Sequence, residues 1–119
     1  MSNRLVRINE LVQREVSAYL RKHYQSESAR ITITGVDVAQ DLKTGKVYVS
    51  VIGSVEEREA GLRWLRSKAG ELRRHVGATV VMKWTPELTY LADATPERAA
   101  RVLQIIDEIE KGGSQPSKS

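Results

Sequence analysis

The sequence predicts an α+β domain in which helices pack on one face of a three-stranded sheet. Two long segments have the apolar spacing of amphipathic helices, and the segment between them alternates apolar and polar residues as a β-hairpin does. The chain has 119 residues, of which 40 % are hydrophobic and 29 % charged. These values fit one packed domain and argue against two independent domains or a fully disordered chain.

The first element is predicted as an amphipathic helix over about residues 3–23. Its apolar residues recur at steps of three and four, which places them on one side of a helix; they are Leu5, Ile8, Val12, Val16 and Tyr19. Arg7, Arg14 and Arg21 are seven residues apart and therefore align on the far side. This row either keeps the surface soluble or follows the phosphates of a polyanion.

The next two elements are predicted as an antiparallel hairpin. The segment ITITGVDV alternates apolar and polar residues, and its phase changes at Gly35, which predicts a β-bulge there. The residues DLKTG supply the turn, and KVYVSV places Val47, Val49 and Val51 on one face.

The second helical pattern begins at a predicted Ser54 cap and continues to Gly77. Glu56 and Glu57 lie in its first turn, where the helix dipole favours acids. Gly70 lies inside this pattern, and glycine costs roughly 1 kcal/mol relative to alanine in a helix interior. We therefore expect a kink at Gly70, between one helix and a second short helix.

The third strand is predicted over residues 80–84, with Pro86 at its exit and TPELTYLAD as an extension past a break. The order of elements is therefore helix, strand, strand, helix, kink, helix and strand, and these form one unit over residues 1–94. A C-terminal helix of the same domain is predicted over residues 95–110, and a disordered tail over residues 111–119.

Several classes of function are excluded by composition and motifs. The chain has no cysteine, which excludes disulfides, thiolate metal sites and cysteine nucleophiles. The longest apolar run is too short to span a membrane, and the N-terminal residues do not resemble a secretory signal, so we expect a cytoplasmic protein. His23 and His75 lie near predicted helix ends, where C-terminal capping is the simpler role. Without a P-loop, dinucleotide fingerprint or nucleophile elbow, we expect no enzymatic activity and no cofactor or metal.

The distribution of charge indicates a polyanionic partner. The net charge is +4, and the stretch from residue 66 to residue 83 contains five basic residues and one acidic residue. If the bent helix is nearly continuous, Arg66, Arg73 and Arg74 gather around Gly70, whose bare backbone would admit a phosphate. RNA fits this pattern better than duplex DNA, because no motif for entering a major groove is present. The alternative is a solvated surface that keeps a small protein soluble.

The predicted RNA-binding residues combine this cluster with the basic row of the first helix and nearby cations. They are Arg7, Arg14, Arg63, Arg66, Lys68, Gly70, Arg73, Arg74 and Lys83. Trp64 and Tyr48 are either stacking surfaces for unpaired bases or packing residues, with packing favoured for Trp64.

Four segments carry a resemblance to a known family. They are RINELVQREVSAYL, ITITGVDVAQDLKTGKVYVSV, SKAGELRRHVG and KWTPELTYLAD. The order of elements resembles the type II KH domain, and the motifs are similar to those of the bacterial ribosome-binding factor A family over about residues 3–108. In that family an A-x-G helix kink replaces the G-x-x-G loop of ordinary KH domains. Here the position reads Lys68-Ala69-Gly70, with lysine in place of the first alanine.

The resemblance implies a noncatalytic, monomeric assembly factor in the cytoplasm. Such a factor would bind the free 30S ribosomal subunit and its 16S rRNA late in maturation, assist rRNA processing and support growth in the cold. Two other interpretations remain open. One is a generic KH-like protein that binds single-stranded RNA outside the ribosome, and the other is a module that docks a partner protein on the sheet edge or the terminal helix.

Overall fold

The computed structural model describes residues 3–93. The elements, in chain order, are α1 (Asn3–His23), β1 (Ile31–Val38), β2 (Thr44–Val51), α2 (Val55–Ser67), α3 (Ala69–Thr79) and β3 (Glu87–Ala92). This order confirms the predicted α+β, KH-like class. The helix predicted over residues 95–110 and the tail predicted over residues 111–119 lie outside the described residues.

The three strands form one mixed sheet in the order β1-β2-β3. β1 and β2 pair antiparallel, and their register shifts between Ile33 and Gly35, which confirms the predicted bulge. β2 and β3 pair parallel, with Thr44 opposite Glu87 and Val49 opposite Ala92. A parallel partner for β2 requires a long connection, and α2 and α3 provide it.

The prediction of a third strand over residues 80–84 is wrong. The strand is β3, in the segment TPELTYLAD that the sequence predicts only as an extension of the sheet, and Pro86 lies before it rather than after it. Val80 is buried and Val81 is 97 % exposed, as in a strand, but Trp84, which strand alternation would place on the buried side with Val80, is 51 % exposed. Residues 80–84 are the connection that returns the chain from the end of α3 to the position where parallel pairing with β2 begins.

The core lies between the sheet and the helices. α1 buries Ile8, Val12, Val16 and Leu20, three of which belong to the predicted apolar stripe. From the other helices, Leu65, Leu72 and Val76 are completely buried, and the sheet contributes side chains from all three strands. Apolar burial of this kind supplies most of the favourable free energy of folding.

The long helical pattern of the middle of the chain is divided at Lys68. Its start is as predicted, because Ser54 and Glu57 form a reciprocal capping box in which each side chain bonds the other's backbone amide. At Lys68 the backbone amide bonds the Leu65 carbonyl (2.9 Å), three residues earlier rather than four, and this ends α2. The next residue, Ala69, begins α3. The kink is therefore confirmed, but it lies two residues before Gly70, which has helical neighbours and an exposed surface.

No helix within residues 3–93 is long and apolar enough to cross a membrane.

Candidate nucleic-acid interface

Most of the predicted RNA-binding residues fall on three separate surfaces rather than one. The α1 row consists of Arg7, Arg14 and Arg21. The β3-edge pair consists of Arg66 and Arg73. The kink cluster, beside the junction of α2 and α3, consists of the predicted residues Lys68 and Arg74 together with Tyr19, Tyr24, Trp64 and Glu71. Two further predicted cations, Arg63 on α2 and Lys83 on the connection before β3, are also exposed.

Two members of the α1 row, Arg14 and Arg21, line a groove between α1 and β1. This groove has a volume of about 420 Å³ and is lined by Glu10, Gln13, Arg14, Ser17, Leu20, Arg21, Ser28, Ile31, Thr32 and Ile33. The side chain of Arg14 is 69 % exposed, and its Nε lies 4.0 Å from the carboxylate of Glu15, a loose surface pair. Guanidinium and hydroxyl groups along one groove are the donors that RNA phosphates accept.

The β3-edge pair covers the outer edge of the sheet. The carbonyl of Tyr90 accepts bonds from Nε (3.1 Å) and Nη2 (2.9 Å) of Arg66. Arg73 donates from Nη2 to the Thr85 carbonyl (2.8 Å) and from Nε to the Pro86 carbonyl (3.3 Å). The Arg66 bonds occupy a main-chain group that the edge strand would otherwise present to another chain, and the Arg73 bonds hold the two residues that precede β3.

The expectation that three guanidinium groups gather around Gly70 is therefore wrong. Arg66 and Arg73 are seven residues apart and both face β3, whereas Arg74 lies one residue further and so points about 100° away, toward α1. Arg74 alone stays close, because a Cβ added at Gly70 would lie 3.8 Å from its Nη1.

A carboxylate lies in the kink cluster, close to the predicted phosphate site. Glu71 accepts hydrogen bonds from the hydroxyls of Tyr19 (2.5 Å) and Tyr24 (2.8 and 2.9 Å). It lies in the first turn of α3, where the helix dipole favours a negative charge. The protein's own acid thus takes the favourable position at the start of α3 where the sequence predicts a phosphate.

Lys68 and Trp64 pack within the same cluster. The ammonium of Lys68 lies 4.7 Å from the ring centroid of Tyr24 and 5.8 Å from that of Trp64, distances typical of cation–π contacts. The indole of Trp64 meets the Tyr24 ring edge to face at 5.3 Å. Trp64 is thus a half-buried packing residue. The ammonium of Lys68 lies over aromatic rings rather than in open solvent.

The hydrogen bonds to Glu71 shift the titration of the carboxylate and of the two tyrosines that it joins. They lower the pKa of Glu71 and raise the pKa of Tyr19 to about 12 and that of Tyr24 above its usual value. The Glu71 contribution to stability is therefore present above the ordinary carboxyl pKa and is lost as pH falls through the lowered one. The Tyr19 contribution is present below pH 10 and is lost as pH rises through about 12.

Replacing Glu71 by glutamine should return the pKa of Tyr19 from about 12 toward its ordinary value of 10.0. The neutral amide would no longer disfavour the tyrosinate, and it would be a weaker acceptor for the hydroxyl. An alkaline titration of tyrosinate absorbance measures this change. Glu10→Gln is the matched control, because Glu10 is exposed on α1. A titration that is the same in both variants would contradict the proposed bonding.

His75 does not act as the predicted helix cap. Its Nε2 lies 3.0 Å from Oε1 of Glu15 and thereby joins α3 to α1. The hydroxyl of Thr79, in the last turn, bonds the His75 carbonyl instead. Within residues 3–93 no group of three or more His, Asp or Glu side chains is placed to hold a metal ion.

One exposed aromatic residue is absent from the predicted site. Trp84 is 51 % exposed and follows Lys83 on the connection before β3. The sequence predicts Trp84 at the end of a strand, and that pattern does not indicate whether its side chain is exposed. The neighbouring Lys83 was the only signal in the sequence for a binding role.

A model of the family described as ribosome-binding factor A matches residues 4–106. Ribosome-binding factor A of Opitutus terrae is 54 % identical over 111 residues, which are 93 % of this chain and 91 % of that protein.

Two structures share the fold. The crystal structure of ribosome-binding factor A from Thermus thermophilus superposes with a TM-score of 0.66 at 19 % identity, covering 74 % of this chain and 94 % of that one. A homology model of the Thermus thermophilus factor, fitted into a cryo-EM map of its complex with the 30S subunit, gives a TM-score of 0.56 at 21 % identity. That match covers 70 % of this chain and 88 % of the fitted one.

Proposed function

Because this chain belongs to the ribosome-binding factor A family, we propose that it binds the free 30S ribosomal subunit through 16S rRNA during late maturation. It acts in the cytoplasm, as a monomer and without catalysing a reaction. The observation that carries the proposal is the family match over most of the chain. The exposed basic row beside the α1–β1 groove supports an RNA partner.

The α1 row supplies the main phosphate contacts in this proposal. Arg7 and Arg14 are exposed on one rigid helix, and seven residues of α-helix separate them by about 10.5 Å along its axis. They can therefore contact different phosphates of one strand without rearrangement of the backbone. Arg74, Arg63 and Lys83 extend the positive surface across the other helices and the connection before β3.

The proposed action is a shift of population. A rigid protein that binds one conformer of the immature subunit more tightly than another stabilises that conformer by the difference in binding free energy. This favours the conformer in which the rRNA ends can be processed, and it blocks premature use of the subunit. The need is greatest in the cold, because crossing any given rRNA folding barrier becomes slower as temperature falls.

Sedimentation tests the proposal. The protein should co-migrate with free 30S subunits and not with full ribosomes, and raising the salt concentration should release it. Co-migration with short RNAs but not with subunits would instead favour a generic RNA-binding protein. Binding that resists both salt and nuclease would favour a protein-interaction module.

A further inference from the structure

The connection between α3 and β3, residues 80–86, presents an aromatic side chain to solvent from a fixed backbone. Val80 is 5 % exposed, Pro86 is buried and Met82 packs against the core, so three residues hold the segment to the protein. Between them Val81 is 97 % exposed and Trp84 is 51 % exposed. A tryptophan with this exposure leaves a large apolar surface in water.

Two further contacts fix the segment against α3. Arg73 binds the carbonyls of Thr85 and Pro86, directly after Trp84. Gly77 permits close approach on the same side, because a Cβ there would lie 2.9 Å from the hydroxyl oxygen of Thr85. The segment is therefore anchored on both sides of Trp84, and rearrangement of the backbone to bury the indole would break these contacts.

The charge around Trp84 favours a nucleic acid as its partner. The Lys83 ammonium lies 6.0 Å from the Trp84 ring, and the guanidinium of Arg73 bonds the residue that follows Trp84. The segment VVMKWTP contains no acid. An exposed aromatic ring flanked by cations is the combination with which proteins bind unpaired bases and their phosphates.

We propose that Trp84 stacks on an unpaired RNA base while Lys83 contacts an adjacent phosphate. This inference rests on the proposed function, because it assigns one point of contact between the protein and rRNA. It predicts recognition of single-stranded RNA at the connection before β3, apart from the α1 row.

Two substitutions at Trp84 separate stacking from simple apolar contact. Trp84→Leu should weaken binding to free 30S subunits roughly 10-fold, because leucine has no π face, whereas Trp84→Phe should stay within about 3-fold of the original protein. Val81→Ala should leave binding unchanged. Equal losses for Trp84→Leu and Val81→Ala would indicate docking on an apolar protein surface and overturn the proposal.

A second measurement reports on Trp84 directly. In a Trp64→Phe variant, Trp84 is the only tryptophan, and stacking on short single-stranded oligoadenylate should quench its fluorescence. Absence of quenching would overturn the proposal.

The two hypotheses fail differently. If the original protein does not co-sediment with 30S subunits, the proposed function is wrong, and the quenching result alone decides stacking. If it does co-sediment and Trp84→Leu binds equally well, only the stacking proposal is wrong.

Discussion

Replacing Leu72 by alanine is expected to lower the free energy of unfolding by about 2–5 kcal/mol, the usual cost of truncating a large core side chain. Leu72 is completely buried. Its amide bonds the Lys68 carbonyl (2.9 Å), which is the first bond of α3 after the kink. A cavity at this position would therefore loosen the junction between the two helices as well as the core.

Urea denaturation measures this change, with Val81→Ala as the matched control. Val81 is 97 % exposed, so its truncation should change the free energy of unfolding by no more than about 0.5 kcal/mol. Because a domain has only about 5–15 kcal/mol of stability, the Leu72 variant would lose a large part of it. Equal stabilities for the two variants would contradict the packing of α3 described above.

The largest expected effect on binding comes from replacing Arg7, Arg14 and Arg74 together by glutamine. Each lost phosphate contact should reduce the slope of log affinity against log salt by about 0.7–0.9, so the three together should reduce it by about 2 to 3. If each contact contributes about 1.5 kcal/mol, affinity for the free 30S subunit should fall on the order of 1000-fold. Titrations at several salt concentrations measure both quantities.

A control with the same loss of charge separates contacts from net charge. Lys43, Lys46 and Arg58 are exposed on the hairpin and on α2, and their replacement by glutamine also removes three positive charges. This variant should keep most of the original salt slope. If both triple variants flatten the slope equally, the protein uses its overall charge, and the assignment of Arg7, Arg14 and Arg74 is wrong.

Arg66 and Arg73 are less suitable for that test. The sequence suggests them as the first choice, but their bonds to Tyr90, Thr85 and Pro86 mean that substitution would also disturb β3. A loss of binding in such variants could arise from a displaced sheet edge. Phosphate binding is therefore better tested by substitutions in the α1 row and at Arg74.

Local features of this protein were determined by the sequence alone. The spacing of Ile8, Val12 and Val16 predicts α1, and the changed phase at Gly35 predicts the bulge. Ser54 and Glu57, which cap the start of α2, are only three residues apart in the chain. These features depend on interactions between near neighbours in the chain, so periodicity and residue type suffice to predict them.

Only the tertiary structure decided which strand pairs with β2 and what the arginines contact. Residues 80–84 and β3 both contain strand-forming residue types, and the choice between them depends on where α3 ends relative to the start of β2. Spacing places Arg66 and Arg73 on one face, but the carbonyls that they bind, on β3 and on the connection before it, belong to residues 12 to 24 positions later. Contacts between distant segments depend on how the elements pack, and the local pattern carries no information about that packing.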